Sequence, residues 1–179
     1  FKSRQIPVSR NSLSDLLEYY EDAYLLFSVP EFTRSLANNM RSASKVYAVD
    51  PAMFGAFSPA SALDQGQRLE TAVFNALRRR TPAVRIGSVC RLLIKEKSKS
   101  HEVDFVAGDA LLMRAYSLIQ VSMEMASEKT REREIAALDA SMAQFDLGES
   151  AIVTMDEQAD IPCEHGVVHV VPAWKWLLA

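Results

Sequence analysis

The sequence has little that would staple, insert or export it. Its 179 residues include two cysteines, Cys90 and Cys163, far apart in the chain. That excludes a scaffold built on disulfides and makes a reducing, cytoplasmic compartment the default. No apolar run reaches membrane-spanning length and no signal peptide is visible, so no membrane partner is expected. An excess of positive charge is also missing. Twenty Lys and Arg stand against 23 Asp and Glu, for a formal net charge of −3. This argues against a broadly basic nucleic-acid binder and leaves only local patches. No Gly-x-x-x-x-Gly-Lys-Ser/Thr loop occurs, so nothing in the chain holds ATP in the P-loop manner. The first residue is Phe1 rather than Met, and the opening reads as mid-element. A fragment of a longer polypeptide is expected.

What is present describes a globular protein. With 49% hydrophobic and 24% charged residues, the chain is long enough for one full core plus a small extra unit. Two parts are expected, 1–55 and 56–179. In the first, Ser9-Arg10-Asn11-Ser12 offers helix N-cap residues, and Leu13, Leu16, Leu17 and Tyr20 follow at helical spacing. Strand formers run from Tyr24 to Val29 and again from Lys45 to Val49, the second closing at Asp50-Pro51. Asn38-Asn39 marks the turn between them. A helix followed by a two-stranded ribbon is the back half of a winged helix, or any small α+β lobe.

In the second part, a helix is expected over Gln67–Arg80 with Leu69, Val73, Phe74 and Leu77 as its stripe. Glu70 falls between Leu69 and Phe74 on the helical wheel, inside that stripe. A carboxylate there must be paired, hydrogen-bonded or metal-bound, or else snorkel from the stripe's edge. Strands follow at Val84–Lys95, His101–Ala107 and Arg114–Met123. Alternation puts Glu102, Asp104 and Val106 on one face, and Leu118, Gln120 and Ser122 on one face of the next strand. Ser127 is placed to cap a long helix with Ile135, Leu138, Met142 and Phe145 as its core stripe and Gly148 at its C′ position. Ala151–Thr154 and Val167–Val171 read as further strands, with an added edge strand. Pro172 ends the last of them, and Trp174, Trp176, Leu177 and Leu178 form a C-terminal cover. The expected class is α/β (α+β), a mixed, partly parallel sheet flanked by helices.

A helix supplying a buried Glu, then a strand Asp, then a strand with a polar pair at i and i+2 is the layout of a PD-(D/E)xK nuclease core. The third element departs from it, reading Gln120-Val121-Ser122 where Asp/Glu-x-Lys is needed. Several segments together carry a wider resemblance. They are Tyr19–Phe27, Lys45–Asp50, Leu69-Glu70, Glu102–Val106, Ile119-Gln120-Val121 and the run Pro172-Ala173-Trp174-Lys175-Trp176-Leu177-Leu178. Over nearly its whole length the chain resembles the domain of unknown function C-terminal to the ATPase core of a group of prokaryotic AAA+ ATPases.

That resemblance implies the end of a winged-helix lobe followed by a restriction-endonuclease-like fold. It also implies a P-loop ATPase domain N-terminal in the same polypeptide, where ATP would bind. Carried over residue by residue, Glu70 is the helical acid, Asp104 the strand acid, Gln120 the second strand acid and Ser122 the lysine. In this superfamily carboxylates hold one or two divalent metals that activate water and neutralise the scissile phosphate, and the lysine stabilises negative charge. Glu70 and Asp104 are therefore the candidate Mg²⁺ ligands. Gln120 could lend a carbonyl oxygen but no charge, and Ser122 cannot replace an ammonium. Lys95, Lys97 and Lys129 are the candidates for a displaced lysine. The expected function is a non-catalytic module that contacts nucleic acid or regulates the ATPase. Alternatives are an interaction or oligomerisation module and an active metal-dependent DNA nuclease.

Other patterns point less sharply. Arg10 and Asn11, at the start of the winged helix's second helix, and Arg4 upstream of it are the candidate DNA contacts. Cys163, His165 and His169 have loose zinc-like spacing without an evident fourth ligand, and His165-Gly166 also suits a hairpin turn. Arg78-Arg79-Arg80 ends a helix, where cations face the negative end of the dipole. The apolar Trp174–Leu178 segment is the candidate contact for a homo-oligomer.

Overall fold

The computed structural model describes residues 9–35, 44–53, 63–81, 88–95 and 100–179. The elements are α1 (Arg10–Asp22), β1 (Leu26–Val29), β2 (Lys45–Ala48), α2 (Leu63–Arg80), β3 (Val89–Lys95), β4 (Ser100–Asp109), β5 (Arg114–Val121), α3 (Glu128–Phe145), β6 (Glu149–Thr154), β7 (Ala159–Cys163), β8 (Gly166–Pro172) and α4 (Ala173–Leu178). Strands β3 to β8 form one mixed sheet in the order β3-β4-β5-β6-β8-β7. The β3/β4, β4/β5 and β7/β8 pairs are antiparallel, and the β5/β6 and β6/β8 pairs are parallel. The parallel step from β5 to β6 is made through α3, as a crossover requires. Among the described residues, no helix is long and apolar enough to cross a membrane.

Both faces of the sheet are covered. On one, Val106, Leu118, Ile152 and Val168 meet Ala137, Leu138 and Met142 of α3. On the other, Phe105, Ile119 and Val153 meet Leu69, Val73, Phe74 and Leu77 of α2. The antiparallel ribbon of β1 and β2 adds Val29 and Tyr47 to this second cluster. Tyr47 stacks on Phe74 with ring centroids 4.7 Å apart. Just past β1, the Phe32 amide donates to Arg91 O at 2.8 Å and the Arg91 amide to Pro30 O at 2.9 Å, tying that segment to β3. Residues on either side of position 55 thus share one core.

Several expectations are corrected. Gly148 does not close α3; Asp146 takes the left-handed conformation at φ 55° instead, its amide donating to Met142 O. Aspartate tolerates that region because its short polar side chain bonds locally. Ser127 stands at the N-cap without a capping side-chain bond, whereas Ser9 does cap α1, accepting from the Ser12 amide at 3.0 Å. Strand β5 stops at Val121, so Ser122 lies beyond it. Strand β7 carries Pro162 opposite Val167 at the sheet's outer edge, where a missing N–H is tolerated. The apolar stripe of α1 is largely exposed, including Leu13, Leu16 and Tyr20. In α4, Trp176 and Leu177 pack inward, while Trp174 and Leu178 stay exposed. The Asn38-Asn39 turn lies outside the described residues.

Gly166 opens β8 where the chain passes against Gly148. A Cβ there would lie 2.2 Å from Gly148 O and 2.6 Å from its carbonyl carbon. Backbone on backbone cannot yield cheaply, so Gly166→Ala is expected to destabilise the fold by about 1–3 kcal/mol, read as a lowered urea midpoint with an unchanged m-value.

Candidate functional site

The site forms where β2, α2, β4 and β5 meet. Glu70 stands beside Leu69 on α2, and helical geometry carries it to the rim of the buried stripe rather than its centre. Asp104 and Gln120 lie one step beyond the Phe105–Ile119 pair, on the face of Val106 and Leu118. Both are buried. Here the β4/β5 ladder opens, and side chains replace backbone partners. The Asp104 amide donates to Gln120 Oε1 at 3.0 Å, and the Val121 amide donates to Asp104 Oδ2 at 3.0 Å.

The cation comes from the ribbon. Lys45 Nζ donates to Glu70 Oε1 at 3.0 Å and to Asp104 Oδ1 at 2.8 Å, and lies 3.1 Å from Glu102 Oε1. Two residues along β2, the Tyr47 hydroxyl donates to the same Glu70 oxygen at 2.6 Å. Lys45 lines two adjoining clefts. One, of about 310 Å³, also holds Glu102, Asp104, Gln120, Arg133 and Glu134. The other, of about 270 Å³, holds Tyr47, Gln67 and Glu70. In the larger one, the buried Glu134 carboxylate accepts from Arg133 Nε at 3.2 Å.

Three carboxylates face the Lys45 ammonium, and Glu102 Oε1 also lies 3.8 Å from the Arg91 guanidinium. Burial pushes the Asp104 carboxyl up to about 6; the Lys45 ammonium opposes this and the Glu70 carboxylate adds to it. Burial works against the charged form of Lys45, but Asp104 and Glu70 outweigh it and hold the amine above its usual range. Burial, then Glu70, likewise keeps the Tyr47 hydroxyl protonated. Three hard oxygen donors suit a divalent cation such as Mg²⁺, provided the ammonium gives up its place.

Glu70, Asp104 and Gln120 are therefore brought together, but with altered parts. The Gln120 carbonyl accepts the Asp104 amide. Ser122 Oγ donates to Glu124 O at 2.8 Å, pointing its bonding away from the carboxylates. Of the lysines expected to substitute for Ser122, Lys129 is exposed on α3, Lys97 lies outside the described residues and the Lys95 side chain does too. The amine found beside Glu70 and Asp104 is Lys45. It lies 25 and 59 positions from its partners Glu70 and Asp104, so no local spacing signals it; the one clue is a lysine opening a strand whose next inward residue is Tyr47. Glu134 and Arg133 were also without a sequence signal.

The remaining candidates disperse. Arg4 lies outside the described residues, Arg10 begins α1, and Asn11 is exposed beside it. Arg78 is not merely solvated, since its guanidinium sits 3.5 Å from the Phe27 ring centroid. Arg80 covers Trp176 at 4.4 Å and donates to Trp176 O at 2.7 Å. His169 is engaged with Asp160 at 2.7 Å and Glu149 at 3.5 Å.

Among curated proteins, the sequence is 33% identical over 178 residues to an uncharacterized protein of Methanocaldococcus jannaschii. The match covers 96% of this chain and 37% of the relative, so the chain spans little more than a third of that protein's length. No family profile matches the sequence, and no solved structure does.

The raised Asp104 carboxyl gives a signed pH dependence. A carboxyl titrating at about 6 when folded and near 3.8 ordinarily contributes stability that is complete below the lower value and is lost as pH rises through the upper one. Asp104→Asn removes that dependence. Urea unfolding of both proteins from about pH 4 to 7 is expected to show wild type losing ground to Asp104→Asn as pH rises; a constant difference would refute the assignment.

Proposed function

We propose that this chain is the C-terminal module of a AAA+ ATPase, with a restriction-endonuclease-like core whose pocket is neutralised by its own lysine and does not cleave. Its role is to contact nucleic acid or to regulate the ATPase. The observation that carries the reading is Lys45 Nζ within 3.1 Å of Glu70, Glu102 and Asp104. An ammonium held by three carboxylates competes directly with any metal for the same oxygens. The missing charge at Gln120 weakens metal binding further.

The wider placement is supported by the resemblance of Tyr19–Phe27, Lys45–Asp50 and Pro172–Leu178 to the AAA+ group. Most of the archaeal relative's length lies outside the matched stretch, which leaves room there for another unit. The succession of α1, β1 and β2, with β1 and β2 antiparallel, suits the tail of a winged helix. DNA contact is proposed at the start of α1, around Arg10 and Asn11.

One distance favours a second reading, an active nuclease. Lys45 Nζ is 2.8 Å from Asp104 Oδ1, bringing to the carboxylates the amine that Ser122 lacks. In that case Glu70, Asp104 and Glu102 would hold Mg²⁺, which when bound supplies Lewis acidity to a phosphoryl oxygen. Lys45 would then stabilise the negative charge that develops beside it.

Lys45→Ala separates the two. For the non-catalytic module, wild type cleaves DNA no faster than Glu70→Ala/Asp104→Ala in Mg²⁺ or Mn²⁺. Lys45→Ala then binds Mn²⁺ about tenfold more tightly or better, a gain of about 1.4 kcal/mol. Cleavage by wild type above that background, abolished by Lys45→Ala, would replace the first reading with the second.

A further inference from the structure

None of the residues at the turn between β7 and β8 lines the carboxylate pocket, yet they gather a second set of metal-binding groups. Asp139 on α3 and Glu164 and His165 at the turn bring one ligand atom each to within 4.8 Å of one another. Asp139 Oδ2 lies 3.0 Å from His165 Nδ1, and Asp139 Oδ1 accepts the His165 backbone N–H at 2.9 Å. Cys163 stands apart from these three, its Sγ donating to Gly166 O at 3.2 Å. The Cys163-x-His165 spacing lacked further ligands in the sequence. The fold delivers Asp139 from a helix and Glu164 from the turn itself.

We propose that Asp139, Glu164 and His165 form a transition-metal site of the zinc type, a water completing the tetrahedron, that fastens the β7–β8 turn to α3. Tetrahedral Zn²⁺ with bonds of about 2.0–2.3 Å sets its ligands roughly 3.4 Å apart, so the present spacing contracts onto an ion with modest side-chain movement. The ion takes the place of the proton now shared by His165 and Asp139. An imidazole beside two carboxylates favours Zn²⁺ or Co²⁺ over Mg²⁺, which prefers oxygen and water. His169 takes no part, being held by Asp160 and Glu149.

Calorimetric titration of the whole chain with Zn²⁺, and absorption spectroscopy with Co²⁺, test the site. One equivalent is expected to bind, the Co²⁺ form showing the visible bands of a tetrahedral centre, which Cys163→Ser leaves unchanged. His165→Ala and Asp139→Asn are expected to weaken binding by at least on the order of 10–100-fold. Glu164 and His165 are exposed on a turn, so Glu164→Gln offers a further variant that leaves the fold intact, and it too is expected to bind more weakly. No saturable binding, affinity unchanged in His165→Ala, or binding abolished by Asp104→Asn would overturn the proposal, the last by placing the ion in the other pocket.

Discussion

Partly buried carboxylates must be neutralised, and that requirement organises this fold. Glu70, Glu102 and Asp104 come from α2 and β4, and the cation that all three share comes from neither. Lys45 reaches them from the ribbon, so the ribbon's docking and the pocket's charge balance depend on each other. Removing one partner of a buried pair costs about 3–5 kcal/mol, and an exposed pair is worth at most about 1 kcal/mol. The Lys45 side chain, 30% exposed, lies between those limits. Packing fixes the geometry: Tyr47 stacks on Phe74 and leans on Phe105 at 5.4 Å, which sets the height at which Lys45 enters.

Much of this was legible in the sequence where local periodicity controls the outcome. Glu70 stood out because a carboxylate interrupted an apolar helical stripe, and alternation along β4 put Glu102 and Asp104 on one face. Lys45 was not legible, because its partners are distant in sequence and it opened a strand assigned to another lobe. Long-range pairing of this kind leaves no periodic trace. The stripe of α1 shows the reverse failure. Its spacing is helical and its residues do form a helix, yet the face is exposed, because periodicity reports amphipathicity and not what covers it. Capping failed in a third way. Gly148 matched the residue type of a helix terminator, but the left-handed position fell two residues earlier, on Asp146.

Gln120 illustrates how one residue type can serve two purposes. Read as a nuclease position, it is a lost carboxylate. In the fold it accepts the Asp104 amide where the β4/β5 ladder has opened, keeping a buried N–H from being orphaned. The resemblance to a degraded catalytic motif and the need for backbone satisfaction meet at a single side chain.

The exchange between β4 and β5 makes the pocket observable from its own main chain. The Val121 amide donates to an Asp104 carboxylate oxygen rather than to a strand carbonyl. Its proton therefore lies in the field of the group whose charge changes near pH 6. Neutralising that oxygen weakens the bond, because hydrogen bonds to ionised acceptors are the shorter and stronger kind. The nuclear magnetic resonance of this one amide should drift with the ionisation of Asp104, and its protection from solvent exchange, relative to the intrinsic rate at the same pH, should fall once the carboxyl is protonated. Anything that draws Lys45 or an ion toward Asp104 would then be recorded at Val121 without touching the pocket.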